Sequence, residues 1–344
     1  MTSRTTPQPD RGARRAHPLD ETNVTIAVLT FKRPEDIGET LPLLADQAES
    51  VRDRVGRASV LVVDNDPEES ARDLVESYAA GRPDVPIRYH AEHVSGITAG
   101  RNRALAEAAT AGDDVLVFID DDERPTEAWL SLLLDTFESS DAVAVVGPVI
   151  SRFAVEPDAW VTAGEFFSRR RLPTGSAVEV AATNNLLLDL RVVRAIDLTF
   201  DPAFGITGGG DTMFSRTLAD RGGRLVWCDE AIVWDVVPAS RVTREWVMRR
   251  AFRSGNSWTL TSVALADGTL AAWRARASCL AKGAVRVVGG AVRAALGVVT
   301  RSTRNRAKGM RTMARGAGMV SGLVGYSYQE YRRPAARSAS TSAS

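Results

Sequence analysis

The sequence predicts an α/β fold built on a mostly parallel sheet. Three observations carry that prediction. Short apolar runs rich in β-branched residues alternate with segments of helical period. The links between them are short. The runs end on polar residues, at Thr30, Asp64 and Asp120. Such alternation argues for parallel strands joined by helices. In open α/β sheets ligands bind beyond the carboxyl ends of the strands, so three polar tips point to one crevice.

The elements follow in order. Residues 25–29 (TIAVL) read as a buried strand, and Pro34 opens a helix carrying Ile37, Leu41, Leu43 and Leu44. Residues 60–63 (VLVV) form a second strand ending at Asp64-Asn65-Asp66-Pro67, before a helix through Ala71, Leu74, Val75 and Tyr78. A short strand at 87–90 and a helix over 98–110 come next. Residues 115–119 (VLVFI) are the most apolar strand, followed after Pro125 by a helix with Trp129, Leu132, Leu133 and Phe137. The middle is less regular. Residues 178–188 have strand character broken by Thr183-Asn184-Asn185. Residues 200–211 read as a loop, 213–218 as a helix and 224–233 as a strand. No internal repeat is visible.

Composition bounds the rest. The chain has 344 residues, enough for one large domain with an appendage or for two domains. Its two cysteines, Cys228 and Cys279, make no disulfide framework, which suits a reducing compartment. The three histidines lack zinc-site spacing. A formal net charge of zero hides an asymmetry: from Arg241 onward 19 basic residues face 3 acidic ones, a net of +16, so the preceding body carries −16. A basic region of this kind suits an anionic membrane surface. Its cations are interleaved with Ala, Val and Gly and few aromatics, which disfavours nucleic acid. Residues 1–21 read as a disordered leader, 22–240 as the main domain, 241–330 as a basic helical region able to lie on a membrane, and 331–344 as a disordered tail. No uncharged apolar run is long enough to span a bilayer. Gly289 and Gly290 weaken the helical region, by about 1 kcal/mol each relative to Ala, so a lipid or protein surface would help to order it.

Two constellations carry chemistry. The stretch VFIDDDE places Asp120, Asp121, Asp122 and Glu123 directly after the apolar strand. On an extended segment Asp120 and Asp122 would share a face and suit one Mg²⁺ or Mn²⁺, hard ions that take carboxylate oxygens and substrate phosphates. Glu123 reads as helix-start chemistry before Pro125. A solvated acidic loop would show the same residues. The stretch SGITAGRNRAL puts Arg101 and Arg103 near a helix start, where cations oppose the helix dipole unless an anion binds there. Together the two suit a metal–diphosphate ligand. There is no GxxxxGK[ST], so a P-loop is excluded.

TIAVLTFKRPEDI, VLVVDNDP, GITAGRNRAL and VFIDDDE occur in the order and spacing of the family 2 glycosyltransferases of GT-A fold, which the chain resembles over about residues 22–260. Among them it is most similar to exopolysaccharide glucosyltransferases of the succinoglycan type. The resemblance implies a metal-dependent transfer from a nucleotide sugar, UDP-linked by preference, to a glycan or lipid-linked acceptor; a single base opposite the leaving group would give inversion, and the basic region would hold the enzyme to the cytoplasmic face of the cell membrane. It implies that Thr30 and Asp64 line the nucleotide, that Arg101 lies near it, and that Asp120 and Asp122 are the metal pair with Asp121 beside the sugar or ribose. It also implies that Asp211 is the catalytic base, in a Gly210-Asp211 pair where the family usually has Glu-Asp. Asp235 stands where a histidine often completes the metal site. Asn184 and Asn185, and Trp227 and Trp234, are candidate acceptor contacts. A sugar-nucleotide nucleotidyltransferase and a non-catalytic nucleotide- or sugar-binding protein remain the alternatives.

Overall fold

The structure is a computed structural model that describes residues 18–205 and 208–326. The expected tail and residues 1–17 of the expected leader lie outside them. The leader's last residues do not: Leu19–Glu21 form one helical turn with Leu19 buried.

The apolar runs become strands because they have two covered faces. β1 (Asn23–Thr30) is buried at every position after Asn23. α1 (Pro34–Val51) begins on its proline, whose missing N–H costs nothing at a helix start. There follow β2 (Arg57–Asp64), α2 (Arg72–Gly81), β3 (Ile87–Ala91), α3 (Ile97–Thr110) and β4 (Val115–Asp120). The middle of the chain holds β5 (Glu123–Pro125), α4 (Trp129–Glu138), β6 (Ala144–Val146), β7 (Val149–Phe153), α5 (Ala159–Gly164), β8 (Ala177–Val178), β9 (Leu186–Asp189) and α6 (Leu190–Ala195). Then come α7 (Gly210–Asp220), β10 (Leu225–Trp227) and β11 (Val233–Val237), and last the long helices α8 (Arg244–Ala264), α9 (Thr269–Val299) and α10 (Thr303–Leu323).

Eight strands form one sheet in the order β3-β2-β1-β4-β9-β6-β10-β8. The β3-β2-β1-β4 half is parallel, as the alternation predicts, while β9 runs antiparallel to both β4 and β6. A second sheet, β5-β11-β7, stands beside it. Helices pack on both faces of the large sheet. One core holds Ile26, Val28, Ile37, Leu41, Val117 and Trp129; the other holds Leu61, Leu105, Phe118, Phe200 and Phe214. The expected α/β class is therefore observed. Two details differ. The strand expected over 178–188 is two short strands separated by a turn, and the one over 224–233 is β10 followed by β11 in the other sheet.

Parallel register brings the strand tips level: Thr30 pairs with Asp64, and Leu29 with Asp120. The carboxyl end of the parallel half is thus a polar ledge.

Candidate active site

A crevice of about 1240 Å³ opens over that ledge. Thr30, Asp66, Arg101, Asp120, Asp121, Asp122, Asp211 and Asp235 all line it. Sequence reading gave a site role to all of these except Asp66.

The acid cluster is built by a turn. β4 ends at Asp120, residues 121 and 122 turn, and β5 begins at Glu123. The segment is therefore not extended, and alternation does not sort its carboxylates; all three aspartates face the crevice. Their partners sort them instead. Asp121 is buried and accepts from Thr30 Oγ1 at 3.0 Å and from Arg33 at 3.0 Å. Asp122 accepts from Arg33 at 3.2 Å and from Arg241 at 2.9 Å. The Asp120 carboxylate accepts no hydrogen bond from any described residue. Burial, opposed by Arg101 and reinforced by Asp122, Asp121 and Asp211, pushes its pKa up to about 7. Burial, with Asp122 beside it, likewise raises Asp121 to about 6, against the pull of Arg33 and the Thr30 hydroxyl.

Glu123 is not at a helix start. It is buried in β5, accepts from the Asp120 backbone N–H at 3.1 Å and from Asn184 at 2.7 Å, and is held well above the usual carboxylate range by burial and by Asp120. It braces the cluster from below. Asn184 reaches the crevice through this contact, whereas Asn185 is structural, accepting from Trp129 Nε1 and donating to the Pro148 and Ala231 carbonyls.

The two helix starts that face the ledge meet each other. α3 begins after Gly96, whose φ of 121° is open to glycine, and a Cβ there would stand 3.1 Å from the Gly205 carbonyl oxygen. This close approach brings α7 beside α3, and Arg101 ion-pairs with Asp211. Arg103 instead turns to Glu92 and Glu107. The predicted base and the predicted phosphate contact are therefore partners in this structure.

Two predictions need correction, those for Asp64 and the tryptophans, while Asp235 stands in the crevice with an arginine partner. Asp64 is fully buried and does not line the crevice: it accepts from the backbone of Asp66 and Ala71 and from the Tyr89 hydroxyl, and so shapes the turn after β2. Asp66 lines the crevice instead, though it is itself buried, and its Oδ2 has no hydrogen-bond partner. Asp235 lines the crevice beside Glu123 in the β5–β11 ladder, but Arg169 holds its carboxylate at 2.8 Å. Trp227 and Trp234 do not line the crevice. Trp227 is buried and bonded to Asp229, and Trp234 stacks under Arg152.

One wall came from outside the expected domain. Trp246, Arg249, Arg250 and Arg253 of α8 line the crevice, with Phe167 stacked on Trp246 and Arg169 also lining it. Arg250 makes no ion pair with any described carboxylate and lies over the Phe167 and Trp246 rings. Burial, with Arg169 and Arg253 nearby, lowers its pKa to about 10. A half-buried cation with other arginines around it is costly unless an anion joins it. The sequence signal was present: positions 246, 249–250 and 253 recur at helical spacing and share one face.

The residues fit a hard divalent ion. Asp120 offers an unbonded carboxylate, with Asp122 two residues on. Among the described residues no three His, Cys, Asp or Glu side chains are grouped to hold an ion alone. Phosphate oxygens of a ligand would complete the shell, as is usual for Mg²⁺.

Comparisons with known proteins agree with this geometry. The profile "Glycosyl transferase family 2" matches residues 25–188. The succinoglycan biosynthesis protein ExoM of Rhizobium meliloti is 33% identical over 311 residues, covering 90% of this chain and 95% of that one. A glucosyl-dolichyl phosphate glucuronosyltransferase of Haloferax volcanii is 33% identical over 147 residues, 42% of this chain and 41% of its own. Among solved structures, the mannosyltransferase PcManGT of Pyrobaculum calidifontis, in complex with GDP-Man and Mn²⁺, superposes with a TM-score of 0.59 at 17% identity, over 89% of this chain and 88% of that one. The fold is of GT-A type. The chain belongs to the family 2 glycosyltransferases and is an enzyme of that class.

Proposed function

We propose that the protein is an inverting, divalent-metal-dependent glycosyltransferase that moves a sugar from a UDP-linked donor to a hydroxyl of a glycan or lipid-linked acceptor in exopolysaccharide synthesis. The observation that carries this reading is the crevice: unbonded Asp120, paired Asp211 and the Arg250 group lie in one wall-to-wall site. The similarity to the succinoglycan protein supports the polysaccharide setting. The Mn²⁺ and nucleotide sugar of the mannosyltransferase structure support a metal and a nucleotide-sugar donor.

The roles divide as follows. Thr30 and Asp66 meet the nucleoside. Asp120 and Asp122 would hold the ion, which supplies neutralisation of charge on the departing diphosphate. Arg101 and Arg250 attract the phosphates. Asp211 takes the proton of the acceptor hydroxyl as its oxygen bonds to the anomeric carbon and the nucleoside diphosphate leaves with the bonding pair. Arg101 must give up Asp211 before that transfer, and a diphosphate is a partner able to claim it. A single base opposite the leaving group gives inversion. The enzyme works at the inner face of the cell membrane, a placement supported by the net +16 charge from Arg241 onward.

The test is a panel of nucleotide sugars with Mn²⁺ or Mg²⁺, read by donor hydrolysis and thermal shift. UDP-sugars should raise the melting temperature only with the metal and should release UDP. Asp211→Asn should keep the thermal shift and lose transfer. UDP release by that variant equal to the parent would point to a binding protein. Pyrophosphate release from a nucleoside triphosphate and a sugar phosphate would point to a nucleotidyltransferase.

A further inference from the structure

Helix α9 is built the wrong way round for a helix in water. An amphipathic helix ordinarily turns its large apolar residues inward. The inner face of α9, against α10, instead carries Cys279, Gly283, Gly290 and Gly297, all buried. These glycines let backbones touch. A Cβ on Gly290 would stand 2.7 Å from the Gly309 carbonyl oxygen, and one on Gly316 would stand 2.7 Å from that of Gly283. Gly290 therefore serves a contact, and α10 supplies the order that the sequence alone left to an outside surface.

The large residues point out. Val285, Val288, Val292, Leu296 and Val299 are 55% to 81% exposed. Their spacing of three and four places them on one stripe about four turns long. Leu270 and Trp273 extend the exposed apolar surface toward the start of the helix. No Asp or Glu occurs from residue 268 to 326, while Lys282 and Arg293 flank the stripe on one side. Helices that pack through small residues and expose large apolar ones are typical of lipid surroundings. No helix among the described residues is long and apolar enough to cross a membrane. A helix with this stripe lies in the plane of an interface instead.

We propose that the outer stripe of α9 docks on an anionic bilayer, with its valines and Leu296 in the headgroup–acyl boundary and with Lys282 and Arg293 reaching lipid phosphates. This deepens the membrane-peripheral reading above by naming the surface. Charge selects the occupant. A second copy would set one acid-free helix against another, cation facing cation. Residues 1–17 and 327–344 contain no apolar run longer than two residues. An anionic lipid surface meets both the apolar face and the cations beside it.

The experiment is sedimentation of the full chain with vesicles of phosphatidylglycerol and phosphatidylcholine, and with vesicles of phosphatidylcholine alone. Binding should favour the anionic vesicles and weaken with salt. The double variant Val288→Ser/Val292→Ser should cut the bound fraction by about tenfold, because two exposed apolar side chains leave the interface. Its melting temperature should not fall, since neither side chain is in the core. Donor hydrolysis on the same samples tests the catalytic reading separately. Equal vesicle binding by parent and variant would overturn the docking surface. So would a parent that elutes as a dimer, becomes monomeric in the variant and ignores vesicles. If an Arg274→Glu/Arg276→Glu variant lost binding while the serine variant kept it, the basic region would remain membrane-directed but the stripe would not be its anchor.

Discussion

Strand β4 has acids at both ends, and the two ends behave oppositely. At its amino end, Asp113 is fully buried and fully paired: it accepts from Thr25 Oγ1 at 2.6 Å, from Arg57 at 2.6 Å and from Arg88 at 2.8 Å. Its neighbour Asp114 accepts from the Asn23 backbone at 3.0 Å. At its carboxyl end, the Asp120 carboxylate has no hydrogen-bond partner among the described residues and a pKa pushed to about 7. The same residue type, six or seven positions apart, fastens the sheet at one end and leaves a charge wanting a partner at the other. Burial alone does not mark a site; unmet charge facing a crevice does.

The comparison breaks most sharply at Asp120. Asp120→Asn should lower transfer on the order of 10³-fold, as loss of a group facing transition-state charge does, without lowering the melting temperature in metal-free buffer. The pH dependence sharpens the same point. Asp120 and Asp121 bind protons more tightly folded than unfolded, so the stability they contribute is present below the unfolded value near 4 and is lost as pH rises through about 6 and 7. The metal-free melting temperature should therefore fall from pH 5 to pH 8. Mn²⁺ should offset that fall at the upper end, and Asp120→Asn should flatten it. A slope unchanged in the variant would mean that this carboxylate is not the strained one.

The opposite end should answer in stability. Asp113→Ala strands Arg57 and Arg88, both partly exposed, and should cost about 2–3 kcal/mol in denaturant unfolding while leaving the metal-dependent thermal shift intact. The smallest contrast lies between two threonines one strand length apart. Thr25→Val removes a hydroxyl bonded to Asp113, Ser59 and Arg88 and should cost about 1–2 kcal/mol. Thr30→Val removes the bond to Asp121 in the crevice and should raise the donor KM with little change in unfolding. If the two variants shifted the same quantity, the distinction between the ends would fail.

Strand direction made the choice between the two acid pairs legible: only the carboxyl end of a parallel strand meets a crevice. The parallel half of the sheet, the ledge of Thr30 and Asp120, and the approach of Arg101 and Asp211 to it were all within reach of the sequence. Asp64 was not, because the donors that turn it inward come from a tight turn, a helix start and the tyrosine of a neighbouring strand. Glu123 was misread because Pro125 suggested a helix, whereas pairing with β11 makes that segment a strand. The pairing of Asp235 with Arg169 joins residues 66 positions apart, and no local pattern reports it. The arginine wall of α8 was passed over because a basic helix suggested a surface.

Helix α8 belongs to two neighbourhoods. Its first turns wall the crevice, and its second half rests on α10, where a Cβ on Gly318 would collide with the Phe252 carbonyl and one on Gly255 with that of Arg315. A trimmed catalytic fragment ending near residue 240 would thus lose part of its own active-site wall. One ending after α8 would keep the arginines but lose the support behind them. A fragment that keeps all three long helices keeps both the arginine wall and the packing behind it.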